Sequence, residues 1–373
     1  MSDPSREGAT EPERVVAALP AWLSGRWPAA EGLAISDLST PLGTGNSNET
    51  IFFRATWRER GEPRAGRYVL RIEPRDPPLW PRQTAAPVPS VEVQYRAMQA
   101  VGAHGTVPLA PLIGYEPRPD PLGRPFFVMG HVNGRVPTDW PPYTREGFLA
   151  DEASPAQRRR LFENGIEVMA ALHRIDWRTA DLGWLVPPER APGLRWQLDL
   201  HRAYARSGLH GRAHPILEQA FDWLEVHFPG EGELAISWGD AKISNLIFSD
   251  DACVAVTDWE SVAIGPPELD LGWWLMFDRF MHESSGATRL DGIPTRAQQQ
   301  EHYEAVSGRR VGNARYFEVF AAMRYATVLV RLGDRYAAAG RVPAEMNMAV
   351  DNVATQVLAD LLGIAYCWTD PPR

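Results

Sequence analysis

The chain changes character near residue 132. Ahead of that point the apolar residues fall in short strand-like runs, over residues 33–38, 50–57, 68–72 and 126–130, and only about 91–101 has a helical period. Behind it the spacing is mostly helical, over 156–173, 196–206, 214–228, 267–282, 295–307, 316–339 and 343–362, with Ser154-Pro155 as a capped helix start. The division predicts an α+β chain of two lobes. Its expected bounds are a tail and helix at 1–30, a strand-rich lobe at 31–131 and a helical lobe at 132–373. Two proline-rich stretches, 74–89 and 108–125, are too varied for linkers and read as ordered surface loops, the first directed at a substrate site.

The second lobe holds the segment Ser237-Trp238-Gly239-Asp240-Ala241-Lys242-Ile243-Ser244-Asn245, followed by Asp258-Trp259-Glu260. Short apolar runs at 234–237, 246–248 and 254–257, with Ser249-Asp250-Asp251 as a turn, predict a hairpin between Asn245 and Asp258. A hairpin returns Asp258 to Asn245, so two hard oxygen donors can meet one Mg²⁺. Asp240 stands apart as a candidate base, and Lys242 is placed to address a transferring phosphoryl group. An Asp, an Asn five residues on and an Asp beyond a hairpin are spaced as a phosphoryl-transfer centre requires.

These residues resemble the aminoglycoside phosphotransferase family, small-molecule relatives of the protein kinases. The family's HGD opening appears as Trp238-Gly239-Asp240, its loop Asn as Asn245, and its metal-binding Asp as Asp258. The resemblance implies a protein-kinase-like fold with a small antiparallel sheet in the first lobe. It also implies that Asp270, in Gly265-Pro266-Pro267-Glu268-Leu269-Asp270-Leu271, braces the catalytic loop through backbone N–H groups. Trp238 is a departure, because an indole offers one donor and no acceptor where the family has a supporting His.

Toward the amino terminus, Leu42-Gly43-Thr44-Gly45-Asn46-Ser47-Asn48-Glu49-Thr50 lies between two predicted strands and reads as a phosphate-covering loop. Gly43, Thr44, Gly45, Ser47 and Asn48 are its nucleotide-binding candidates. It has neither the third glycine of a dinucleotide fold nor the Lys-Ser/Thr of a P-loop. The resemblance places Arg71 where the family's phosphate-pairing cation stands, and Arg can grip phosphate bidentately. The acid that would orient that cation aligns with Gln94, with Glu92 as the other candidate. The same resemblance makes 126–134 the last strand and hinge of the lobe, with Met129 behind a nucleobase and Gly130 and Val132 as its backbone contacts.

Composition bounds the rest. The 373 residues, 44% hydrophobic and 23% charged, suit a globular enzyme with sizeable cores. A net charge of −9 argues against general nucleic-acid binding. The polar, acidic first residues do not read as a signal peptide and no run is long enough to span a membrane, so a cytoplasmic location is expected. Cys253 and Cys367 form neither a disulfide framework nor a zinc pattern.

The leading expectation is a Mg²⁺-dependent kinase moving the γ-phosphoryl group of ATP or GTP to a small-molecule hydroxyl. A non-catalytic nucleotide-binding pseudokinase is the alternative that Arg71, Gln94 and Trp238 motivate. A protein kinase is weakest, since nothing after Asp258 resembles its activation segment. Family members act on aminoglycosides, macrolides, choline-like alcohols, homoserine-like amino acids and hydroxyacyl thioesters. Trp259, Trp273 and Trp274 make the neighbourhood aromatic, either as core between helices or as a wall for an apolar alcohol.

Overall fold

The computed structural model describes residues 11–40, 49–284 and 286–366. It divides into two compact units, one built from Met1–Pro78, Val88–Gln99 and Leu109–Asn133, the other from Leu79–Pro87, Ala100–Pro108 and Gly134–Arg373.

The first unit opens with helix α1 (Glu11–Ser24) and continues through β1 (Ala30–Ser39), β2 (Glu49–Glu59) and β3 (Glu62–Ile72) to α2 (Ser90–Gly102), β4 (Leu112–Glu116) and β5 (Phe126–Gly130). The five strands form one antiparallel sheet in the order β1-β2-β3-β5-β4. Arg60 and Gly61, both at positive φ, make the two-residue turn that sets the long β2–β3 register from Glu59↔Glu62 to Glu49↔Ile72. Val15, Leu19, Trp22 and Leu23 of α1 bury against Phe53, Leu70, Phe126 and Val128, so the first helix closes one face of the sheet.

Strand β4 corrects the expectation that 108–125 is only a loop. Its alternating Leu112-Ile113-Gly114-Tyr115 is too short to outweigh the flanking prolines in sequence, and pairing with β5 decides the matter.

The second unit contains α3 (Phe148–Asp151), α4 (Pro155–His173), α5 (Leu194–Leu209), α6 (Pro215–Val226), β6 (Ala235–Ser237), β7 (Leu246–Ser249), β8 (Ala252–Val256), β9 (Ala263–Gly265), α7 (Glu268–Arg279), α8 (Arg296–Ser307), α9 (Ala314–Ala338) and α10 (Val353–Leu362). Reciprocal capping boxes start α4 (Ser154 with Gln157) and α8 (Thr295 with Gln298). Helices α7 and α9 approach closely at Gly272, where a Cβ would fall 2.5 Å from the Phe317 backbone. The helix expected over 343–362 is broken. A 3₁₀ turn at Ala344–Met346 and the left-handed Asn347 precede Asn352, which caps α10 through the Ala354 and Thr355 amides. The helix expected over 267–282 ends its α-helical part at Arg279 and runs on as one π turn, Phe280–Ser284.

His214 caps α6 by accepting the Leu217 amide at Nδ1, and burial pushes its pKa down to about 4. The unfolded chain therefore binds this proton more readily than the fold does. The associated stability is complete above the ordinary histidine value of 6.5 and falls as pH drops toward 4. The full contribution is about 3 kcal/mol at ~1.4 kcal/mol per unit. His214→Asn keeps a capping oxygen but does not titrate, so urea melts at pH 7 and pH 4 should show a smaller acid loss than wild type. An equal loss in both proteins would contradict this.

Candidate active site

Strand β6 feeds a loop whose backbone is clamped from below. Asp270, fully buried in the first turn of α7, accepts the Ser237 hydroxyl at 2.8 Å and the Trp238 and Gly239 amides at 2.7 and 2.8 Å. His173 Nε2 lies 3.0 Å from the same carboxylate, and His173 Nδ1 is 2.8 Å from the Tyr303 hydroxyl. Paired this fully, the buried carboxylate fixes the loop instead of straining the core. Gly239 is at φ 88°, and a Cβ there would sit 2.1 Å from the Ser261 carbonyl. Glycine is what lets the chain pass.

The clamped loop presents Asp240. One carboxylate oxygen accepts Asn245 Nδ2 at 2.7 Å and the other accepts Trp273 Nε1 at 2.8 Å. Burial raises the Asp240 pKa, Lys242 opposes that, and the Asp258 charge adds to it. Lys242 Nζ is 3.9 Å from Asp240 but only 2.5 Å from Asp139, and it lies 5.0 Å from the Phe277 ring centre. Burial favours neutral Lys242, yet the two carboxylates outweigh it and push its pKa up, so the ammonium stays charged. Asp139 was not singled out from the sequence. It lies 103 residues from Lys242, with no local pattern to mark it.

The β7–β8 hairpin joins the two candidate cation donors. At its base the Thr257 amide and hydroxyl donate to the Asn245 carbonyl at 2.9 and 3.0 Å, and Asp258 follows at φ 54° in the left-handed region. Asn245 gives its side-chain N–H groups to the Asp240 carboxylate and carbonyl, so its amide oxygen is the atom available to a cation. Among the described residues no group of three His, Cys, Asp or Glu side chains forms a ready-made cation cage. One amide oxygen and one carboxylate fit a Mg²⁺ whose remaining ligands are water and phosphate oxygens.

An aromatic layer backs this centre. Trp238 donates Nε1 to the Thr257 carbonyl at 2.8 Å and is 2% exposed, so the indole ties the loop to the hairpin strand. Trp259 and Trp274 are buried core residues, whereas Trp273 reaches the site through Asp240. Trp80, from the first proline-rich stretch, packs 5.5 Å from Trp273 and donates to Glu260 at 2.7 Å. Arg324 of α9 completes the layer and was also missed, because helical periodicity does not distinguish a buried Arg from an exposed one.

In the first unit, Arg71 on β3 donates to Thr50 Oγ1 at 3.0 Å and to Gln94 Oε1 at 3.2 Å. Gln94 thus meets the cation as a neutral acceptor. Glu92 instead accepts from the Tyr115 hydroxyl at 3.0 Å and from Arg96 at 3.4 Å. Met129 and Gly130 end β5, where the Gly130 amide donates to the Pro111 carbonyl, and the partly buried Val132 follows. Gly43, Thr44, Gly45, Ser47 and Asn48 lie outside the described residues.

The model of a family described as "Phosphotransferase enzyme family" matches residues 39–310. Acyl-CoA dehydrogenase family member 11 of Gallus gallus is 30% identical over 238 residues, covering 63% of this chain and 27% of the relative. The chain spans little more than a quarter of the length of the curated relatives of that name. Among solved structures, a protein provisionally named an aminoglycoside phosphotransferase, from Ralstonia eutropha JMP134, superposes with a TM-score of 0.65 at 24% identity, covering 94% of this chain and 99% of its own. A thermostable mutant of aminoglycoside phosphotransferase APH(4)-Ia, in ternary complex with ADP and hygromycin B, gives 0.55 at 13% identity over 92% and 98%. At these identities the likeness concerns the fold.

Proposed function

The chain belongs to the phosphotransferase enzyme family, and on that premise we propose that it is a Mg²⁺-dependent kinase transferring the γ-phosphoryl group of ATP or GTP to a hydroxyl of a small molecule. The observation that carries this reading is the state of Asp240, a carboxylate oriented by Asn245 and Trp273 with Asp258 close enough to act on its charge.

In the second unit Asp240 takes the proton of the acceptor hydroxyl, and its raised pKa makes it a better proton acceptor than an exposed Asp. Asn245 and Asp258 would hold the cation, which would supply neutralisation of charge on the phosphate oxygens. Lys242, kept charged by Asp139, supplies a further positive charge beside the base. Asp270 and Gly239 keep the loop in the geometry these roles need. In the first unit Arg71, oriented by Gln94 and Thr50, grips phosphate, and the strand end at Met129, Gly130 and Val132 receives the base.

A screen of ATP and GTP consumption with Mg²⁺ over a library of alcohols tests the reading and identifies the acceptor. Its substrates should include aminoglycosides, because the solved relatives bind them, and hydroxylated acyl thioesters. A chain that binds nucleotide but consumes neither triphosphate with any acceptor would be the pseudokinase.

Arg71→Ala should weaken ATP binding by ~1.5–3 kcal/mol, the usual worth of a charged hydrogen bond, and Arg71→Lys should recover part of it. Isothermal titration showing unchanged affinity in Arg71→Ala would remove Arg71 from the nucleotide site.

A further inference from the structure

Arg324 of α9 is a buried cation in the second unit. It is 5% exposed, among the described residues no carboxylate stands within ion-pair distance, and its Nε has no hydrogen-bond partner. Burial lowers its pKa to about 10, against the favourable charges of Asp270 and Asp240. A buried guanidinium without a paired acid costs stability, and an apolar side chain of similar size is often neutral or better for the fold. Packing alone therefore gives no reason for an arginine here.

Its contacts give one. Nη2 donates to the Gly239 carbonyl at 3.2 Å, the peptide unit leading directly into Asp240. The guanidinium carbon lies 4.7 Å from the Trp273 ring centre and 5.4 Å from that of Trp80. Trp273 in turn donates to Asp240, and Trp80 donates to Glu260, two residues beyond Asp258. One planar cation thus touches the backbone on the near side of the candidate base and the indole that orients its carboxylate. The family model ends at residue 310, so Arg324 lies outside the matched stretch.

We infer that Arg324 is a positioning residue for phosphoryl transfer, holding the Gly239 carbonyl and the Trp273 ring so that the Asp240 carboxylate faces the acceptor. The inference rests on the kinase reading above, since it presupposes Asp240 as base. Arg324 acts through Gly239 and Trp273 and need not touch nucleotide or acceptor. A loosened carboxylate should show as a slower chemical step with nucleotide binding intact.

The test measures Mg²⁺-dependent ATP turnover, with water or the best alcohol from the screen as acceptor, in Arg324→Met, Arg324→Ala and Asp240→Asn. Arg324→Met should lower kcat by about 10- to 10²-fold, the scale of a slightly misplaced catalytic group, with KM for ATP within about twofold of wild type and an equal or higher melting temperature. Adding guanidinium ion at millimolar concentration to Arg324→Ala should restore turnover saturably, which a lost packing contact would not do. A wild-type kcat in Arg324→Met overturns the inference, as does a fall matched by a rise in KM or by a lower melting temperature. Should the Met variant not fold, failure of guanidinium to rescue Arg324→Ala overturns it. Asp240→Asn separates the two readings. If it is inactive while Arg324→Met is normal, only the role of Arg324 falls; if Asp240→Asn is fully active, the base assignment falls and this inference with it; if wild type turns over neither ATP nor GTP, the kinase reading falls and this inference with it.

Discussion

Asp258→Ala is expected to abolish turnover and to leave nucleotide affinity indifferent to Mg²⁺. Asp258 is the only carboxylate of the proposed donor pair, and Asn245 already spends its N–H groups on Asp240. The amide oxygen alone gives a divalent cation one neutral ligand, too little for a hard ion that favours carboxylates. Removing the Asp258 charge also takes away a repulsion that raises the proton affinity of Asp240, so the base becomes slightly weaker as the cation is lost. Calorimetric titration of ATP with and without Mg²⁺ reads the cation role independently of catalysis. Wild-type turnover and Mg²⁺ dependence in Asp258→Ala would exclude Asp258 as a ligand.

The second large effect should come from Asp240→Asn, which keeps the shape of the side chain and removes its ability to take a proton. General-base action is worth ~10²–10⁴-fold, and kcat should fall by about that factor. Nucleotide affinity should hardly change, because Arg71 and the Asn245–Asp258 pair are untouched. One local adjustment is expected. The Asn amide must turn its oxygen toward either Asn245 Nδ2 or Trp273 Nε1, since it cannot accept from both as two carboxylate oxygens do. Circular dichroism should confirm the fold. A normal rate would remove Asp240 as the base.

What could be read in advance depended on how far apart the interacting residues lie. Asp240, Asn245 and Asp258 fall within one hairpin's reach, so turn chemistry and a known spacing were enough to bring them together. Arg71 and Gln94 are 23 residues apart, and their meeting came from the resemblance, not from any period in the chain. Asp139, Trp80 and Arg324 lie further off, and nothing in their local sequence says that Asp139 will meet Lys242 or that an arginine on α9 will enter the core. Strand β4 was hidden for another reason, because five residues between prolines carry less signal than the pairing they make. The long carboxy-terminal helix failed at Asn347 and Asn352, where side-chain capping and a left-handed residue override a helical apolar pattern.

The second unit is not a continuous stretch of chain. Leu79–Pro87 enters it early, where the Leu79 carbonyl accepts the Tyr204 hydroxyl at 2.6 Å and Gln83 exchanges hydrogen bonds with Gln197. Ala100–Pro108 enters next, and the Pro108 carbonyl accepts the Val256 amide. A gene fragment beginning at residue 134 would therefore encode a body with an open groove over α5 and an unpaired backbone amide in its hairpin. The same threading bears on synthesis at the ribosome. Residues 79–87 leave the tunnel more than 100 residues before Gln197 and Tyr204, and well over 200 before Arg324. They must wait, undocked, for partners not yet made. A stop codon between those positions leaves the early segments without the partners they dock on.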